Sequence, residues 1–168
     1  MKEISFRNDV LPFKDKIFRL ALRITMNRAE AEDIVQDTLI RVWNKRNEWS
    51  GFSSMEAYCL AVCRNLSLDR ISLKENCHAT LEDQPDTPDS FTPHDALTRK
   101  EQISLVETLL AGLPEVQRSI IQLREIEGKN YREIAEILNL SEEKVKVYLF
   151  RARQRIKQAY AKIDGYGL

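Results

Sequence analysis

The chain has 168 residues, with 26 Lys plus Arg balanced by 26 Asp plus Glu and a hydrophobic share of 43%. That share sustains a packed core and excludes a disordered chain, and the lack of an apolar run near roughly 18 residues excludes a membrane-spanning helix. Five Gly and five Pro are few turn formers, so long helices are expected. The N-terminal residues MKEISFRNDVLPF carry no apolar export signal, and three Cys without one imply a reduced, cytosolic setting.

The neutral total hides three segments. Residues 1–75 carry 13 basic and 11 acidic groups, residues 76–97 carry 5 acidic and no basic groups, and residues 98–168 carry 13 basic and 10 acidic groups. The middle segment, NCHATLEDQPDTPDSFTPHDAL, also holds Pro85, Pro88 and Pro93 and has almost no helical periodicity. It reads as a flexible acidic linker between two small helical domains, 1–75 and 98–168. The expected fold is therefore all-α.

In the first domain Val10, Phe13, Ile17, Leu20, Ala21 and Ile24 recur at helical spacing, with Pro12 in the first turn. Asn27 and Glu30 have the spacing of a capping pair for a second helix, whose buried stripe is Ala31, Ile34, Val35, Thr38, Leu39 and Val42. Ser53 and Glu56 repeat that spacing before a third helix, apolar on most sides, that runs to about Ile71. In the second domain Thr98 and Glu101 open a helix ending near Gly112, and Pro114 opens another ending near Gly128. Asn130 and Glu133 cap the short helix YREIAEIL, Asn139 takes a left-handed stop, and Ser141 caps a long last helix.

A short helix, a tight turn at Asn139–Ser141 and a long helix make a helix-turn-helix. At about 100° per residue, Val145, Leu149, Ala152, Ile156 and Ala159 share the inward face of the long helix. Val147, Arg151 and Gln154 lie opposite, with Lys144, Lys146 and Phe150 beside them, and Arg153 and Arg155 on the flanks. This is a narrow strip for base edges with cations on either side for phosphates. Complementing the negative end of the helix accounts for Lys157 and Lys162, but not for Lys144 or Lys146 in its first turns.

On the second helix Glu30, Asp33, Gln36, Asp37 and Ile40 form a stripe opposite the buried one. An acidic stripe is ordinarily a solvated face and binds DNA poorly, so any partner there is a protein. Cys59 and Cys63, on an apolar helix, read as core rather than as half of a metal site; Cys77–His78 follows nearby. No nucleophile–base pair, phosphate loop or carboxylate pair appears, so no catalytic residues, metal or cofactor are expected.

Three segments carry a family resemblance. RAEAEDIVQDTLIRVW (28–43) resembles the second conserved region of bacterial sigma factors, and AYCLAVCRNLSLDRI (57–71) the adjoining promoter-melting helix. LPEVQRSIIQLREIEGKNYREIAEILNLSEEKVKVYLFRARQRI (113–156) is similar to their fourth region. Their order and spacing match the two-domain extracytoplasmic-function (ECF) sigma factors of the sigma-70 family.

The resemblance implies that Asp33, Gln36 and Asp37 dock on core RNA polymerase. Trp49 and Phe52, in the loop NEWSGFSS (47–54), and Asn65 would hold the melted −10 element. Lys144, Lys146, Val147, Phe150, Arg151 and Gln154 would read the duplex −35 element, with Arg153 and Arg155 on phosphates. Glu143 and Lys144 stand where the family usually has a small residue and Thr, Val147 replaces a small polar residue, and Tyr58 replaces a Trp of the melting helix. No further domain is expected after Ala161, so control falls to a separate anti-sigma factor, membrane-bound for many relatives. The residues alone leave two other readings: a conventional helix-turn-helix regulator working without polymerase, and an interaction protein using only the acidic stripe.

Overall fold

The structure, a computed structural model, describes residues 3–77 and 99–165. Two groups of helices make it up, with no strand among the described residues. A helical lead-in, Phe6–Val10 and then Leu11–Phe13, runs into α1 (Lys14–Thr25); α2 is Arg28–Asn44 and α3 is Met55–Cys77. Pro12 sits in the first turn of the lead-in's second, 3₁₀ part, where its missing N–H leaves nothing unpaired. The second group is α4 (Arg99–Ala111), α5 (Glu115–Ile121) with a π-helical extension Gln122–Ile126, α6 (Tyr131–Leu138) and α7 (Glu142–Gly165).

The apolar stripes face inward. Val10, Ile17, Leu20, Ala21 and Ile24 are buried against Ala31, Ile34, Val35, Thr38 and Val42 of α2, and α3 adds Leu60, Cys59 and Cys63. In the second group Ile120, Leu123, Ile134, Leu138, Val145, Leu149 and Ala152 fill the core. Each fully buried aliphatic side chain of this size contributes about 1.5–3 kcal/mol.

Caps set most helix ends. The Asn27 side chain accepts from the Glu30 N–H at 3.0 Å and Asn130 does the same for Glu133 at 2.8 Å. Ser141 Oγ accepts from the Lys144 N–H at 3.2 Å. Asn139 takes the left-handed stop of α6 with φ 55°. Met26 ends α1 in the same conformation, φ 57°, its N–H bonded to the Leu22 carbonyl at 2.8 Å.

Three expectations need correcting. The cap of α3 is Ser54, whose Oγ accepts from the Ala57 N–H at 3.2 Å; Ser53 instead donates to Glu136 in α6 at 3.3 Å. Serine at either position offers the same oxygen, and backbone entry decides which one caps. The α3 helix does not stop near Ile71 but runs to Cys77, two residues into the segment read as linker. No proline or glycine intervenes before Pro85 to stop it. Pro114 precedes α5 rather than lying inside it, with extended ψ of 152°. The proposed Thr98 cap, His78 and residues 78–97 lie outside the described residues.

The two groups pack against each other. Arg19 on α1 makes a two-pronged ion pair with Glu127, at 2.5 and 2.9 Å, and the Glu127 side chain is only 2% exposed. Arg118 on α5 donates to the Arg23 and Ile24 carbonyls at the end of α1, at 2.9 and 3.1 Å. In the other direction Arg64 on α3 donates to the Leu138 carbonyl at the end of α6, at 3.5 Å. Each group thus supplies a cation to the negative end of a helix in the other. Glu56 gathers Lys16 from its own group, at 3.0 Å, and Lys129 from the other.

Candidate nucleic-acid interface

The last helix presents its faces as its residues dictate. Val145, Leu149 and Ala152 are buried, while Lys144, Lys146, Val147, Phe150, Arg151, Gln154 and Arg155 are exposed. Phe150 is 62% exposed and Val147, three residues earlier on the same strip, 46%. The turn at Asn139–Ser141 sets α6 behind α7, and Leu140 packs into the core to fix it. Lys146 lies 5.7 Å from the Tyr131 ring, which also carries Arg124 at 4.7 Å, so one α6 aromatic gathers two cations. Arg151 lies over Tyr148 at 6.0 Å.

Arg153 is not free to take a phosphate as it stands. Its Nε donates to Glu125 at 2.9 Å, and Nη2 closes on the same carboxylate oxygen. Glu125 lies in the extension of α5, twenty-eight residues earlier, beyond the reach of any helical periodicity. The pair pins α7 to the helix before the helix-turn-helix.

On the first group Asp33, Gln36 and Asp37 are exposed along α2, followed by Ile40 at 58% and Trp43 at 45% exposure. The carboxylates have partners that the sequence did not announce. Arg70 of α3 reaches Asp33 at 3.5 Å and Asp37 at 3.1 Å, and Lys74 reaches Glu30 at 2.7 Å. Three carboxylates against two cations leave the stripe only weakly negative, with an exposed apolar end.

The proposed single-strand site is changed most. Trp49 is 5% exposed, not a free stacking face. Its Nε1 donates to the Val42 carbonyl at 3.0 Å, and its ring packs with Phe6 and Trp43. Residues Arg46–Gly51 form a 3₁₀ turn rather than an open loop, because the indole finds both an apolar bed and a helix-end acceptor. Phe52 is half-buried and stacks on Tyr58 with ring centroids 4.1 Å apart, leaving it at most one face for a base. Asn65 is exposed on α3.

Cys59 and Cys63 are buried, and burial pushes both thiols up to about 12. Cys63 Sγ contacts the Ile17 carbonyl at 3.3 Å. Thiols held protonated in a core are poor nucleophiles and poor metal ligands. No helix of the described residues is long and apolar enough to cross a membrane.

Comparison with known proteins bears on both groups. The family described as sigma-70 region 2 matches residues 10–75, and that described as sigma-70, region 4 matches residues 103–156. The ECF RNA polymerase sigma factor SigL of Mycobacterium tuberculosis is 32% identical over 144 residues, spanning 84% of this chain and 80% of that protein. SigW of Bacillus subtilis, also an ECF sigma factor, is 27% identical over 164 residues, 92% of this chain and 88% of SigW. Among solved structures, the sigma factor RpoE of Bartonella quintana, in complex with the anti-sigma factor NepR, superposes with a TM-score of 0.74. The overlap is 91% of this chain and 94% of that one, at 21% identity. CnrH, in complex with the cytosolic domain of CnrY, gives 0.69 over 94% and 88% at 18% identity. At these identities the two structures speak for the fold.

Proposed function

The chain belongs to the sigma-70 family as an RNA polymerase sigma factor of the ECF type, and on that premise we propose how its surfaces divide the work of initiation. The α2 stripe Asp33, Gln36 and Asp37 docks on core polymerase, with Ile40 at its apolar end. Asn65, with one face of Phe52, holds the melted −10 strand. Lys144, Lys146, Val147, Phe150, Arg151 and Gln154 read the duplex −35 element, and Arg155 takes a phosphate at their side. Arg153 reaches DNA only by leaving Glu125. The division of the chain into a first domain, a linker and a second domain at 98–168 follows the same reading, with α3 carrying the first domain to Cys77 rather than to residue 75.

The observation that carries it is the last helix. Two lysines, an apolar methyl pair, an aromatic face and an arginine stand exposed on one strip, opposite Val145, Leu149 and Ala152, which are buried, and Ile156 and Ala159, which are half-buried. The chain works by binding, not by catalysis, and acts in the cytoplasm. The structurally similar sigma factor RpoE was solved with the anti-sigma factor NepR, which supports a separate protein partner of that kind here. The rival, a regulator that binds duplex DNA without polymerase, is separated by reconstitution. Core polymerase plus this chain should initiate at discrete promoters that core alone ignores. Tight, specific duplex binding by the chain with no initiation by the mixture is the result that sinks the reading.

A further inference from the structure

Arg64 precedes Asn65 on α3, and none of the surfaces above uses it. Its side chain is 13% exposed, yet its partners are poor. Nη1 reaches the Leu138 carbonyl at the 3.5 Å limit, and Nη2 lies 3.7 Å from Glu115. Nε is buried with no hydrogen-bond partner. A guanidinium has five N–H donors in a rigid fork, and burying one so loosely held is costly. Both contacts reach across to the second domain, so both exist only while the domains touch.

Promoter reading separates the domains. Elements near −35 and −10 lie roughly 25 base pairs apart, about 85 Å of duplex. A compact chain of this length has a radius of gyration of about 15 Å. The closed molecule cannot lie on both elements at once. On opening, Arg64 loses its acceptors and stands beside Asn65, about 1.5 Å further back along the helix and about 100° around it. Its planar fork fits a phosphate.

We propose that Arg64 is shared between two states. In the free chain it caps α6 and pairs with Glu115; in the open, polymerase-bound chain it holds a phosphate of the melted strand beside Asn65. Domain closure and strand binding then compete for one cation. The inference rests on the reading of Asn65 as a strand contact.

The test uses holoenzyme assembled from core polymerase and the full chain. The probe is a fluorescent single-stranded oligonucleotide carrying the non-template −10 segment of a promoter the holoenzyme initiates from. Arg64→Ala should bind about tenfold more weakly, the scale of one lost charge-assisted contact. Its salt dependence should flatten by about 0.7 in log–log slope, the value for one phosphate on a single strand. Arg64→Lys should keep most of that slope, and Asn65→Ala should weaken binding without changing it. In the free chain Glu115→Gln, which removes the closed-state partner, should strengthen strand binding. Parent affinity and slope in Arg64→Ala, with Asn65→Ala impaired, overturn the role of Arg64 alone; if neither variant changes, the strand reading of α3 fails with it. Neutral methylphosphonate linkages, placed one at a time in the oligonucleotide, repeat the test on the unmodified chain. One linkage beside the base held by Asn65 must cost binding, and a flat series overturns the proposal.

Discussion

Single residues show how far a sequence reading carries. Faces were legible because burial repeats with the helix: Val145, Leu149 and Ala152 point in, and Val147 and Arg151 point out. Partners were not legible, because Arg70–Asp37 and Arg153–Glu125 join positions 33 and 28 apart. Trp49 was misread for a related reason. Its surroundings look like a loop, and nothing local says that Phe6, forty-three residues earlier, closes over it. The Arg70 pairing alters what a docking test must control. Reversing Asp33 and Asp37 to Lys places like charges against a basic polymerase surface, and also against Arg70. Exposed pairs of this kind contribute about 0.2–1 kcal/mol each, so the fold should survive. The double variant should lose core binding in a pull-down while its helical circular dichroism stays that of the parent. Arg70→Gln, which frees both carboxylates, should bind core at least as well as the parent. Undiminished binding by the reversed variant removes the stripe from the interface. At α7, Arg151→Ala should lose about 1–3 kcal/mol on the cognate −35 element and relax preference at one base pair. Glu125→Gln, by releasing Arg153, should instead raise affinity on all duplexes and steepen the salt dependence by about one unit. Duplex titrations over a salt series check both.

At the scale of elements the useful signals were chemical ones. Asn at a cap, Asn at a left-handed stop and Gly after a helix each have a backbone reason, and Asn27, Asn130, Asn139 and Gly128 sit where those reasons apply. Gly128 has φ 71° and open space around the position a Cβ would take. Gly128→Ala therefore meets no clash, and its cost is conformational, about 1–2 kcal/mol. Met26 carries the same left-handed conformation with no residue-type signal to announce it. A long unbranched side chain has no local hydrogen bond to offset that geometry, as Asn139 can. Met26→Gly should consequently stabilise the fold by up to about 1 kcal/mol, the steric relief exceeding the added chain entropy. Urea unfolding monitored by circular dichroism should move the two midpoints in opposite directions. A lower midpoint for Met26→Gly means that its side chain packs against the first domain strongly enough to outweigh the strain.

At the scale of the whole molecule the sequence was silent about the closed arrangement. Amphipathic periodicity shows which apolar faces need cover but not which ones meet, and the buried apolar residues of the two domains join in one cluster. Arg19–Glu127, Lys129–Glu56, Arg23–Gln122 and the Arg118 cap add charges and carbonyls to that contact, and no periodicity announces them. The ionic part suits a contact that must open. Ions released to water recover their hydration, whereas an apolar face of equal area would resist separation. It also makes closure sensitive to acid. Burial alone would raise the Glu127 carboxyl, but the hydrogen bond and charge of Arg19 outweigh it and hold the group below its usual value. Glu56 is lowered in the same way by Lys129 and Lys16 against its own burial. A carboxylate whose folded value is depressed stabilises the closed form fully above the ordinary Glu range, near about 4.3. The contribution is lost as pH falls through the lower folded value. Between neutrality and about pH 5 closure should therefore hold steady, and below about pH 4 the domains should part before either domain unfolds. Energy transfer between dyes on α2 and on the C-terminal end of α7 reads the distance, and circular dichroism reads the helices. Glu127→Gln cannot ionise and removes the counter-charge that Arg19 finds across the domain contact, so it should already be partly open at pH 7 and should show less of the acid response. Loss of transfer that coincides with loss of helix, in parent and variant alike, shows that acid melts the domains themselves and that Glu127 does not hold them together.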